Sequence, residues 1–299
     1  MNRSAVALLL ALALTGCSST PEPEEQPATE RQSLNRSAQL AFSQGQYAQA
    51  ATLYEATLDE ALIEDQPEAI IDARFNLALS LTYLGDYQSA MDQVTQADAE
   101  RLRRALGPDP ELQLLRATIH YRAGEADTAE GLLEPLLRDP TIPPGTAAKA
   151  HFVAGLIAAD RGDAVSIRRH LNALPAEDAE GGIADRLELE GHLARISGQT
   201  DPALRLFDQS ILLRSLDRDF RGMTRMLAAA GALAEQAGRT ALAGSYLLRA
   251  GRSAAQRAEP DARAWLERAR DLGKRAGDTA LVLEAEATLN QLGPGGTSD

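Results

Sequence analysis

"SQGQYAQA" at residues 43–50 is answered at residues 83–90 by "YLGDYQSA", and the shared Gly-x-Tyr-x-x-Ala frame decides how the chain folds. The frame returns as "RAGEADTA" (122–129), "DRGDAVSI" (160–167), "ISGQTDPA" (196–203), "QAGRTALA" (236–243) and, more faintly, "RAGDTALV" (275–282). Its glycines, Gly45, Gly85, Gly124, Gly162, Gly198, Gly238 and Gly277, stand 40, 39, 38, 36, 40 and 39 residues apart. A recurrence of this length predicts stacked helix pairs, each unable to bury its apolar face alone.

Each place in the frame has a physical task. The glycine takes positive φ just past a helix end, where a Cβ is sterically penalised. Asp86, Asp163 and Asp278 follow it as caps for the next helix. Five residues beyond the glycine stand Ala50, Ala90, Ala129, Ile167, Ala203, Ala243 and Val282. Seven before it stand Ala38, Ala78, Ala117, Gly155, Gly191, Gly231 and then Arg270. Small side chains at both places let paired helices approach closely. Nine beyond come Tyr54, Val94, Leu133, Leu171, Phe207 and Leu247 as packing residues, with Glu286 suited to a water-facing last unit. Asp109-Pro110, Asp201-Pro202 and Glu259-Pro260 predict helix starts with proline in the first helical position.

Composition agrees with a helical chain. Of 299 residues 44% are hydrophobic but only 4% aromatic, so Ala and Leu must build the core, which favours helices over sheets. The net charge of −13 disfavours phosphate backbones, and no nucleic-acid partner is expected. The single cysteine excludes an intrachain disulfide and a multi-thiolate metal site. His120, His151, His170 and His192 lack metal-ligand spacing, although His151 and His170 fall on the two helices of one unit. With no nucleophile or phosphate-loop motif either, no catalytic residue, metal or cofactor is expected, and the chain reads as not an enzyme.

The set Ala38, Gly45, Tyr47, Ala50 and Tyr54 resembles the tetratricopeptide repeat, over residues 33–292. The resemblance implies an all-α fold, a right-handed α-solenoid of about seven helix pairs with a long concave groove. It departs from the family in its longer period, usually 34 residues, and in lacking the early Trp and late Pro. HEAT-like pairs share the period and remain the alternative. In the family the first helix of each pair lines the groove. Carried over, this places Asn35, Gln39, Phe42, Phe75, Leu79, Tyr83, Leu114, Tyr121, Phe152, Leu156, Glu188, His192 and Arg195 on it. The family's Lys/Arg/Asn clamp for a chaperone tail carboxylate is absent. Phe and Tyr at those places imply instead a partner protein or peptide segment anchored by apolar or aromatic side chains.

The N-terminus reads separately. Arg3 and the apolar run at residues 5–14 form a signal sequence, half the length of a membrane span. Leu14-Thr15-Gly16-Cys17 resembles the lipobox of bacterial lipoproteins, which implies removal of residues 1–16 and lipidation of Cys17. Ser18 after the cysteine implies outer-membrane sorting, with the body facing the periplasm. Residues 17–32, rich in Pro and Glu, are expected to be a disordered tether able to reach on the order of 45 Å, and residues 293–299 a flexible tail. The leading expectation is a lipid-anchored scaffold that holds another envelope protein in its groove, in outer-membrane protein or pilus secretin assembly. A regulatory activator of a peptidoglycan synthase or hydrolase is the second, and a glycan-binding module or divergent enzyme the third.

Overall fold

The computed structural model describes residues 29–175 and 182–293, which form fourteen helices and, among the described residues, no strand. The expected signal sequence, Cys17, most of the tether and residues 294–299 lie outside them. The helices form seven pairs. Around Gly45 stand α1 (Glu30–Ser43) and α2 (Tyr47–Ile63), and around Gly85 α3 (Pro67–Leu84) and α4 (Tyr87–Arg103). Around Gly124 stand α5 (Pro110–Arg122) and α6 (Ala126–Arg138), and around Gly162 α7 (Pro144–Asp160) and α8 (Ala164–Ala173). The last three pairs are α9 (Gly182–Ile196) with α10 (Thr200–Leu216), α11 (Phe220–Gln236) with α12 (Thr240–Ala255), and α13 (Ala262–Ala276) with α14 (Thr279–Gln291).

All seven frame glycines have φ between +70° and +85°, as the turn between paired helices requires. Asp86, Asp163 and Asp278 then accept from the amides of Ser89, Val165 and Ser166, and Leu281, so α4, α8 and α14 are capped by the residue after the glycine. The turns between pairs obey a different rule: Asp65, Ala105, Arg218 and Ala258 are left-handed without being glycine.

The small residues form the seam. Six of the alanines and isoleucine five beyond the glycine, Ala50 to Ala243, have no exposed surface. A Cβ at Gly191 would lie 2.5 Å from the Phe207 ring, and one at Gly231 2.8 Å from Leu247. Gly155 has the same closeness, at 2.6 Å, to Leu189 of the next pair. Phe207, fully buried there, contributes about 1.5–3 kcal/mol by leaving water.

Three expectations change in detail. Helix α1 begins at Glu30, inside the stretch assigned to the tether, because Thr29 and Gln32 close a capping box. Of the three prolines expected there, Pro110 alone holds the first helical position: α10 starts at Thr200, two residues before Pro202, and Pro260 precedes α13. In the seventh pair the seam shifts to Ala269, Gly273 and Leu281, which leaves Arg270 and Val282 half-buried.

The largest difference is in the groove. The stack curves until its first two pairs touch its last ones. A Cβ at Gly45 would stand 2.6 Å from Arg257 Cδ and 3.4 Å from Phe220, and one at Gly85 3.3 Å from Pro260. Arg221, at the start of α11, donates to the carbonyl of Tyr83 at the end of α3. The concave side is therefore encircled by the chain, with a cavity still open to solvent, and is not the long groove expected from the repeat alone.

Candidate ligand-binding site

The first helices of successive pairs face this interior, as a solenoid of antiparallel pairs dictates. Phe75, Leu79 and Tyr83 of α3, Leu114 and Arg122 of α5, and Phe152 of α7 line a cavity of about 540 Å³. Its far wall comes from α9, the α10–α11 corner and α11, through Asp185, Arg214, Asp219 and Arg225. A smaller cavity of about 220 Å³ lies beyond Arg122 and Arg225, against Tyr87, Tyr121 and Trp265.

Between the two cavities is a polar core that the repeat pattern does not reveal. Glu188 on α9 is fully buried, accepts two bonds from Arg225 at 2.7 Å each and one from Arg214 at 2.6 Å. Arg214, itself buried, also reaches Asp185 at 2.8 Å and Asp219. Burial opposes the charge on Glu188, but Arg225 and Arg214 outweigh it and hold the carboxyl below its usual range. The guanidinium groups of the same two arginines each lie 5.6 Å from the centre of the Phe152 ring. Lys149 joins the network through Asp185 at 2.7 Å.

The residues placed on the groove by resemblance divide into three groups. Phe75, Leu79, Tyr83, Leu114 and Phe152 line the larger cavity and Tyr121 the smaller, its hydroxyl donating to Asp160 at 2.8 Å. Asn35 and Gln39 line neither, and Phe42 is taken up by an aromatic cluster with Tyr47 and Tyr83, ring centroids 5.2 Å away. Leu156 is core, and Glu188 is a buried ion-pair centre instead of a groove surface. His192 packs edge-on to Phe207 at 5.1 Å, and Arg195 donates to the Ala159 carbonyl, so both tie helices together. His151 and His170 do meet, Nδ1 to Nδ1 at 3.1 Å, on the opposite side of the α7–α8 pair from the interior.

Arg122 is the residue that the pattern misses. It stands two places before Gly124, the place Tyr83 holds before Gly85, so the alignment that selected Tyr83 also marks it. Its guanidinium lies 4.7 Å over the Tyr83 ring, and its buried Nη1 has no hydrogen-bond acceptor among the described residues. Burial, with Arg221 and Arg225 nearby, lowers its pKa. Leaving such a donor unpaired costs about 1–3 kcal/mol, more for a charged group. No cluster of three or more metal-ligating side chains occurs among the described residues.

No family model and no curated protein matches the chain. Several solved structures share its fold. A tetratricopeptide repeat protein from Parabacteroides merdae is 14% identical, with 89% of this chain and 94% of that one covered at a TM-score of 0.50. A Rap protein complexed with Competence and Sporulation Factor is 14% identical over 88% and 74%, with a TM-score of 0.61. The apo form of the quorum sensor NprR from B. thuringiensis is 11% identical over 88% and 81%, with a TM-score of 0.53. At these identities the likeness is one of fold, and it supports the tetratricopeptide-like solenoid of seven helix pairs.

Proposed function

We propose that the chain is a binding scaffold that seats a segment of another protein in its encircled interior, held at the outer membrane by a lipid on Cys17 and facing the periplasm. The cavity carries this reading: successive first helices bring Phe75, Leu79 and Leu114 to one apolar wall of a 540 Å³ space. The Rap protein of similar fold, complexed with Competence and Sporulation Factor, is in keeping with a binding role for such a solenoid. The partner expected is an envelope protein, as the lipobox at residues 14–17 implies.

The test is crosslinking in living cells from a photoreactive residue at Phe75, with Val165, exposed on α8, as the control position. One protein captured from Phe75 and not from Val165 supports the scaffold. Capture of glycan, or the same products from both positions, counts against it. The anchor is tested independently: wild type should incorporate labelled palmitate and fractionate with outer membranes, and Cys17→Ala should do neither.

A further inference from the structure

His151 on α7 and His170 on α8 meet ring to ring, Nδ1 to Nδ1 at 3.1 Å, with ring centres 5.4 Å apart and planes inclined at 45°. A hydrogen bond between these atoms needs one Nδ1–H and one bare Nδ1, so a single proton lies between two basic nitrogens. Neither Nδ1 has another partner among the described residues. Two imidazole nitrogens on one zinc ion, each at about 2.0–2.1 Å in a tetrahedral arrangement, stand about 3.3 Å apart. The pair therefore already has nearly the bite of a metal site. A separation of 19 residues hid it, because the two rings come from antiparallel neighbours and not from one face of one helix.

Both rings are half-buried and line a cleft of about 710 Å³ between α6 and the α7–α8 pair. Ala154 and Gly131 leave room beside them, and a Cβ at Gly131 would meet nothing within 4 Å, so water can reach a bound ion. The carboxylates of the cleft are engaged: Asp127 and Glu130 take Arg161 at 2.5 and 2.7 Å, and Glu134 takes Arg138. Arg169, the remaining cation there, donates to the Ser166 hydroxyl on its own helix at 2.7 Å. The surrounding charges thus balance, and the donors on offer are imidazole nitrogens. That donor set disfavours magnesium and calcium, which take oxygen ligands, and suits zinc, copper(II) or nickel(II). We propose that His151 and His170 bind one such divalent ion through their Nδ1 atoms, with water in its remaining positions. The proton now held between the rings moves to Nε2 of its own ring, so both imidazoles stay neutral. The ion clamps α7 to α8 away from their turn at Gly162 and stiffens the pair that carries Phe152 on the cavity wall. This inference stands independently of the scaffold reading.

The test uses the full chain without a histidine tag, in detergent and freed of metal by a chelator. Isothermal titration with zinc chloride should show one ion bound, and His151→Gln and His170→Gln should each weaken it at least about tenfold. His120→Gln, which removes the imidazole beside Glu125, should bind zinc as the wild type does. Saturating zinc should raise the melting temperature of the wild type and leave both variants of the pair unmoved, and magnesium should raise neither. Copper(II) on the wild type should show two imidazole nitrogens by electron paramagnetic resonance, a readout that needs no variant to fold. No zinc bound, undiminished binding in both variants of the pair, or fewer than two imidazole nitrogens on copper overturns the inference.

Discussion

Replacing Glu188 by Gln removes one charge from the centre of the solenoid with almost no change of shape. Glu188 has no exposed surface and joins three helices through Arg214 of α10 and Arg225 of α11. The two arginines fare differently. Arg214 keeps Asp185 and Asp219, whereas Arg225 has Glu188 as its only ion-pair partner among the described residues. The amide can accept at one oxygen only, and its NH2 must face a guanidinium. Breaking a buried pair from one side costs about 3–5 kcal/mol. Arg225 is about one-third exposed and can recover some hydration, so the lower end, about 3 kcal/mol, is expected. For a chain of this size that lowers the melting temperature by roughly 6–12 °C. Thermal melts followed at 222 nm, with calorimetry to check for intermediates, supply the measurement. Glu190→Gln on the same helix is the control, because its Arg186 partner is at 4.0 Å in an i, i+4 pair, where about 0.3–0.5 kcal/mol is at stake. If Glu188→Gln costs less than about 1 kcal/mol, or no more than the control, the polar core does not hold α9, α10 and α11 together and the reasoning is wrong.

Gly191→Ala drives a methyl into the Phe207 ring and should lose about 1–3 kcal/mol, whereas Gly131→Ala, exposed on α6 with nothing within 4 Å, should gain about 0.5–1 kcal/mol; denaturant melts compare them. Gly45→Ala and Gly124→Ala share left-handed strain of about 1–2 kcal/mol. Only the first meets Arg257, so hydrogen exchange should speed up at residues 256–262 in that variant alone. Burial depresses His170 and His192 to about 4. His192 is faced by Glu188, Arg195, Arg225 and Asp160, and His170 by His151, Arg169, Glu130 and Asp163. The unfolded chain protonates first as pH drops, so stability should be full above about pH 6.5 and decline towards pH 4. His170→Gln should flatten the melting temperature over that window; an unchanged slope there and in His192→Gln would discard the assignment.

The frame of "SQGQYAQA" and its six echoes determined the pairing, the turns and the seam because these are local demands. A glycine at positive φ, an aspartate within reach of two amides and an alanine where helices cross are each fixed by a few neighbours in the chain. The start of α1 was equally legible in Thr29 and Gln32, a capping box hidden by the Pro- and Glu-rich composition before it. The closure was not legible. It accumulates from a small rotation at every pair, and no single unit records the sum. That sum brings Tyr83 to Arg221 across 138 residues. It also turns Glu188 from a groove position into a fully buried charge and leaves Arg122 with no carboxylate among the described residues. Whether a side chain on a first helix is wall, core or ion pair depends on what returns to face it, and only the tertiary structure decides that.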